Sequence, residues 1–420
     1  MNPPSPPLAL RVALFTYSTK PRGGVVHTLA LAEHLQSLGH QVQVFALGKP
    51  GQDSFYRSTS VPFTLIPALA TTVEDEPLDE RIQRYIQTYY DFLTRHHPGH
   101  FDIYHAQDCI SANALWRVRE IGIIKEFIRT IHHIDDFVSP ALIKCQNDSI
   151  HLPNYRLVVS NYWQERLTAE FGVASTVINN GVDVNRFTPA TPTERTTARS
   201  AWGLQDQIVF LNIGGIEPRK NTIRLLLAFQ SIRNKLADRG RRSVLLLAGG
   251  ETLLDYRSYR AEFFQLLNHS GLEVDKDLLL LGTVSETQIE SLYQAADVFT
   301  FPSVKEGWGL VVLEAMAAGV PVLTSDLPVF HEYLTSGENA LLVDPHNLPA
   351  IAEGLLRLAT DNALRQRLRL AGPLTAKSFS WAATAQRHTA FYQAILTGRP
   401  SYQVTNGIGP KALTSTGMQY

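Results

Sequence analysis

The chain has 420 residues, 44% hydrophobic and 18% charged, with unremarkable Gly (27) and Pro (23) counts, which excludes collagen-like, low-complexity and largely disordered classes. That length suits two large cores better than one, since domains usually run ~100–200 residues. Thirty-eight Lys+Arg against 39 Asp+Glu leave a net charge of -1, so there is no global basic field to attract nucleic acid, and none is expected as a partner.

Leu8–Tyr17 is a continuous apolar run and reads as a first strand, with Pro in place of the basic region of a signal peptide just before it. A loop rich in Gly and Pro follows, then a helical pattern carried by Val26, Leu29, Ala30, Ala32 and Leu35, closed by Gly39-His40. Gln41–Leu47 gives the next strand and completes a βαβ unit. Further strands are predicted at Ile103–His105, Phe127–Ile131, Leu157–Val159 and Thr176–Ile178, with helices such as Leu78–Arg95 and Ala112–Glu120 between them.

After Arg186–Gln207, read as a linker with a short helix, a second series of strands follows. They are Ile208–Ile213, Val244–Ala248, Leu278–Leu281, Val298–Phe301 and Pro321–Thr324. The predicted fold is α/β, with two doubly wound, Rossmann-like domains facing a cleft that takes a large polar ligand at the strands' carboxyl ends. The expected divisions are 1–185 for the first domain, 186–206 for the linker and 207–373 for the second domain. A terminal helix over Leu374–Leu396 is expected to return to the first domain, and 397–420 to form a frayed tail.

Cys109 and Cys145 are the only cysteines, which suits a reducing compartment, and the cytoplasm is the expected location. The longest apolar stretch, Trp308 to Thr324, contains Glu314, Gly319 and Pro321 and falls short of the ~20 clean residues a membrane helix needs.

The strongest chemical signal runs from Pro302 to Thr324. It places Glu306 in a strand-to-helix loop, Gly307 and Gly309 where backbone approaches a ligand, and Glu314 about 7.5 Å along a helix that starts near Gly309. Free amides at that helix start, from Trp308 through Leu310, can hold an anion, and the deeper carboxylate can accept from both ribose hydroxyls. These dimensions suit a nucleoside diphosphate. Gly23-Gly24, between the first strand and its helix, can likewise offer amides to phosphate. Arg219 and Lys220 follow the Ile208–Ile213 strand, where both charges reach the same cleft.

This pattern resembles the family-4 type of retaining glycosyltransferases, marked by two glutamates separated by seven residues. The resemblance spans nearly the whole chain through Pro21–His27, Thr130-Ile131-His132, Asn179–Asp183, Arg219-Lys220-Asn221, Leu281–Val284 and Ala296–Ser303. It implies the GT-B fold and transfer of a hexose-type sugar from a UDP- or GDP-sugar to an acceptor hydroxyl, with retained configuration and with neither metal nor other cofactor. It assigns Glu306 to the donor sugar, Glu314 to the ribose and His132 to the sugar from the N-terminal side. Gly23 and Gly24 fall in the loop near the donor phosphate and the acceptor. The family often places its arginine about five positions before the lysine, where this chain has Gly215, so Arg219 stands in from an adjacent position.

His132, His133, Asp135 and Asp136 could also be read as metal ligands by type. Asp275-x-Asp277 reads as a solvated loop, His105 and Asp108 as cleft, capping or core residues, and Asn180, Gly181 and Asp183 as hinge or ligand positions. A nicotinamide enzyme is disfavoured because Gly23-Gly24 lacks the G-x-G-x-x-G spacing. A nucleotide-sugar epimerase of the same fold and a non-catalytic binding protein are the remaining alternatives. Peripheral contact with a membrane face stays open.

Overall fold

The computed structural model describes residues 9–49, 51–68, 76–96, 100–250 and 256–398. The first half contains β1 (Arg11–Thr16), α1 (Gly23–Ser37), β2 (Gln41–Gly48), β3 (Phe63–Pro67), α2 (Leu78–His96), β4 (Ile103–Ala106) and α3 (Cys109–Glu120). It continues through β5 (Ile128–Ile131), α4 (Pro140–His151), β6 (Tyr155–Val158), α5 (Asn161–Phe171) and β7 (Thr176–Val177). Its strands form one parallel sheet in the order β3-β2-β1-β4-β5-β6-β7. Both faces are covered, which is why the strands read as unbroken apolar runs. In β1, Val12 and Leu14 enter one core cluster while Ala13 and Phe15 enter the other.

The second half begins with α6 (Pro192–Ala201), followed by β8 (Ile208–Ile213), α7 (Thr222–Ala237), β9 (Ser243–Ala248), α8 (Arg257–His269), β10 (Leu278–Gly282) and α9 (Glu286–Ala295). Then come β11 (Val298–Phe301), α10 (Leu310–Ala317), β12 (Val322–Ser325), α11 (Pro328–His331), β13 (Leu341–Val343), α12 (Leu348–Thr360), α13 (Asn362–Ala376) and α14 (Trp381–Leu396). The second parallel sheet has the order β10-β9-β8-β11-β12-β13, again packed on both faces, with Val209 and Leu211 on one side of β8 and Phe210 on the other. Strand order reverses between β1 and β4 in the first sheet and between β8 and β11 in the second. Those are the switch points beyond whose carboxyl ends α/β folds bind ligands.

The sequence pattern misses β3 and β13, short strands that occupy sheet edges. The single helix expected over Leu374–Leu396 is two. α13 stops at Ala376, and Ser380 caps α14 by accepting from the Ala383 amide. At the break the amides of Lys377, Ser378 and Phe379 still close the end of α13, while the Phe379 carbonyl accepts from the Val182 amide at 2.8 Å. Beyond this crossing α14 lies on the first domain, where Ala385, Phe391 and Tyr392 share a core with Val12, Leu14 and Leu29. The tail expected over 397–420 lies outside the described residues beyond 398. Among the described residues no helix is long and apolar enough to cross a membrane.

The two halves also meet through side chains. Glu332 beside α11 accepts from the amides of Asn161 (3.1 Å) and Tyr162 (3.0 Å) at the start of α5, where a carboxylate complements the helix dipole. Arg57, paired with Glu33, also reaches Glu286 at 3.2 Å.

Candidate active site

The loop from β8 to α7 carries the cations. Asn221 adopts a left-handed conformation (φ 59°), and its side-chain amide donates to the carbonyls of Pro302 (2.9 Å) and Pro345 (2.7 Å). The loop is thereby fixed to the ends of β11 and β13. Lys220 Nζ then lies 2.8 Å and Arg219 Nη1 2.9 Å from the same oxygen, Oε1 of Glu306. The Lys220 ammonium also sits 4.4 Å from the Phe301 ring centroid, a favourable cation–π distance. Arg219, adjacent to the lysine rather than five positions earlier, converges with it on one carboxylate.

Burial alone would push the Glu306 carboxyl up, but Lys220 and Arg219 outweigh it and hold its pKa at about 2. Burial, reinforced by the neighbouring Arg219, lowers the Lys220 ammonium against the pull of Glu306. Burial also opposes the Arg219 charge, yet Glu306, Glu217 and Asp135 keep that guanidinium above its ordinary value.

Glu314, half-buried on α10, accepts from the Tyr293 hydroxyl at 3.0 Å through Oε2; burial raises its pKa. No side chain caps α10, whose N-cap is Gly309 at φ 87°. A Cβ on Gly309 would lie 2.6 Å from the Phe330 ring, and one on Gly307 would lie 2.1 Å from the His132 carbonyl oxygen. The second contact brings the two domains together at the backbone itself. Trp308 turns its ring away from the cleft. Its side chain is 2% exposed and packs between Tyr333 and Phe379, so its amide is what this residue can offer. Leu310 opens the helix.

Across the cleft, Gly23 and Gly24 are the first two residues of α1 rather than part of the loop before it, and that helix start is also uncapped by side chains. Nothing lies within 4 Å of a Cβ built on Gly23, while one on Gly24 would lie 3.8 Å from His132 Nε2. That Nε2 is buried and has no hydrogen-bond partner. Burial, with His27 and Arg129 nearby, holds the His132 ring well below the ordinary imidazole pKa and so neutral.

The other candidates border the site or serve structure. His133 faces Asp135 at 3.2 Å, and Asp136 pairs with Lys305. Among the described residues no three His, Cys, Asp or Glu side chains gather as a metal-binding group. His105 is wholly buried between Tyr392 Oη (2.8 Å) and Thr130 Oγ1 (2.7 Å), a core role. Asp108 caps α3 by accepting from Ser111 at 2.8 Å. Asp183 accepts from the amides of Asn185 and Arg186. Asp277 is not solvated: it is buried and paired with Arg233 at 2.9 Å.

Residues 21–186 match the family described as Glycosyltransferase Family 4, and residues 194–374 the one described as Glycosyl transferases group 1. The chain is a family-4 glycosyltransferase. It is 26% identical to a D-inositol 3-phosphate glycosyltransferase of Corynebacterium glutamicum (strain R), over 91% of this chain and 96% of that one. It is 27% identical to a phosphatidyl-myo-inositol mannosyltransferase of Mycobacterium leprae (strain TN), over 93% and 98%. The fold of this glycosyltransferase is GT-B. Sucrose-phosphate synthase from Thermosynechococcus elongatus superposes with a TM-score of 0.77 at 20% identity, covering 93% of this chain and 100% of that one. Anabaena HepE in complex with UDP and glucose superposes with 0.74 at 18%, covering 92% and 100%.

Two site features of this glycosyltransferase escape the sequence pattern. Trp163, on α5 of the first domain, donates its indole N–H to the Glu306 carbonyl at 3.0 Å. Asn221 anchors the cationic loop but reads in sequence only as the end of Arg219-Lys220-Asn221. Neither residue type announces such a bond, because each partner lies more than 80 positions away.

Proposed function

We propose that this glycosyltransferase moves a hexose from a UDP- or GDP-sugar to an acceptor hydroxyl with retained configuration and without a metal ion. The observation that carries this is the convergence of Lys220 and Arg219 on Glu306 beside the uncapped start of α10, across from the uncapped start of α1. Lys220 has three N–H donors and Arg219 five, so each keeps donors for diphosphate oxygens while still holding Glu306. The spare oxygens of Glu306 and Glu314 suit hydroxyls, on the sugar and the ribose respectively. His132, neutral and with Nε2 unbonded, suits a sugar hydroxyl from the opposite wall.

In the reaction the bond from the anomeric carbon to the leaving phosphate oxygen breaks, and a bond to the acceptor oxygen forms on the same face. The acceptor proton passes to the departing phosphate, so no catalytic carboxylate is needed. Negative charge growing on the diphosphate is met by preorganised donors, Lys220, Arg219 and the helix-start amides, which act most strongly where water is excluded.

The names of the two relatives share an inositol ring bearing phosphate, which makes myo-inositol phosphates the first acceptors to try. The test is to incubate the protein with UDP-glucose or GDP-mannose and such acceptors and to follow the product's anomeric proton by NMR. A product of retained configuration supports the reading. An inverted linkage, or isomerised donor without transfer, overturns it.

A further inference from the structure

His27 stands on α1 four residues after Gly23 and is wholly buried. Its Nδ1 lies 2.8 Å from Asn180 Oδ1. An amide oxygen only accepts, so Nδ1 carries the proton. The ring meets the His132 ring edge-on, with centroids 4.7 Å apart and planes at 72°; its other contacts are Trp381 at 5.4 Å and His388 at 6.1 Å. Burial holds its pKa at about 3, so the ring is neutral.

The partners of His27 belong to the two places where the chain passes between domains. Asn180 precedes Gly181, and a Cβ on Gly181 would lie 2.3 Å from the Trp381 backbone nitrogen. Val182 is bonded to Phe379 one residue further on. One imidazole thus touches the outgoing crossing through Asn180, the returning crossing through Trp381, and the histidine whose carbonyl abuts Gly307.

We propose that His27 is a positioning residue: it sets the His132 ring at the sugar site and ties that setting to the two interdomain crossings. This rests on the assignment of His132 to the sugar. His27 itself touches no reacting atom; its effect on turnover passes through His132.

The experiment compares His27→Phe, His27→Asn, His132→Ala and the double variant His27→Phe/His132→Ala. Each is measured for UDP affinity, melting temperature, and kcat and KM with whichever of UDP-glucose and GDP-mannose the protein turns over. Phe keeps the ring and loses the bond to Asn180, whereas Asn places a donor near the position of Nδ1. Expected for His27→Phe is a fall in kcat of about 10- to 100-fold, the scale of a misplaced catalytic group, with UDP affinity unchanged. His27→Asn restores most of it. In the His132→Ala background His27→Phe costs little more, because residues acting through one another are non-additive.

If His27→Phe multiplies the loss already caused by His132→Ala, or lowers UDP affinity and turnover together with no rescue by Asn, the inference is overturned while the sugar-site assignment stands. Near-normal turnover in His132→Ala would instead overturn the assignment itself. Should His27→Phe fail to fold, Asn180→Ala removes the same bond from the other side, and the same comparison applies.

Discussion

Glu306, Lys220 and Arg219 form a triplet with one carboxylate oxygen shared between two cations, all largely removed from water. Removing one partner of such a buried group leaves uncompensated charge, at a cost on the order of 3 kcal/mol or more, whereas removing both charges is often nearly neutral. Lys220→Ala should therefore lower the melting temperature modestly, Arg219 remaining on Glu306, and reduce transfer by at least ~100-fold as one preorganised donor is lost. Lys220→Met/Glu306→Gln leaves the Arg219 guanidinium without its carboxylate, so it should be less stable than Lys220→Ala and regain no turnover. Thermal unfolding and initial rates decide it, and near-normal rates for either variant would remove the triplet from the chemistry. Gly307→Ala acts differently, because its Cβ would meet the His132 carbonyl at 2.1 Å, a backbone atom that cannot swing aside. Turnover should fall steeply while the isolated domains keep their cores. Fluorescence from Trp308 and Trp163, which flank this junction, should shift. Gly307 and all three charges were legible in sequence, since each sits in a loop just after a strand. That two cations share one oxygen was not, because it depends on loops 86 residues apart meeting at a switch point.

At the scale of elements, the central strands and their order of helices were legible because burial on both faces writes long apolar runs, as in β8 and β9. The edges were not. β3 is mostly half-exposed and β13 is three residues long, so neither carries enough apolar periodicity to stand out. The break between α13 and α14 was hidden for a different reason. Besides the local Ser380 cap, it is marked by a pairing with Val182, nearly 200 residues away. Gly181 makes that pairing close enough, and an alanine there would place Cβ 2.3 Å from Trp381 N and 2.7 Å from Ser380 C. Gly181→Ala is thus expected to cost on the order of 2–4 kcal/mol, within the range for forced overpacking and broken backbone geometry. It should loosen α14 from α1, and hydrogen exchange over residues 381–396 should rise relative to the sheet interiors. Unchanged exchange with an unchanged melting temperature would show that the two crossings are not held together at this point.

For the whole molecule, the buried histidines beneath the cleft set how the fold responds to acid. Burial holds His27 at about 3 and His388 at about 4, and His105 well below its ordinary value, against 6.5 for a free imidazole. Their native pKa values are depressed, so between 6.5 and about 4 the unfolded chain binds protons that the native state refuses. Stability then rises with pH and is lost on acidification through that window, at up to about 1.4 kcal/mol per pH unit for each such histidine. Carboxylates divide by sign. Glu306 and Asp135, held at about 2, contribute stability above their ordinary values that is lost only as pH falls toward 2. Asp108, Glu314 and Glu332 are raised by burial and oppose the histidines above their own ordinary values. The histidines should dominate between pH 6.5 and 5, so the melting temperature should fall steadily across that interval. His27→Asn, which cannot take up a proton, should flatten the slope by one histidine's share. Melting curves of both proteins at half-unit steps test this: a flat profile from pH 7 to 5, or an unaltered slope in His27→Asn, would mean that these imidazoles are already protonated within the native fold.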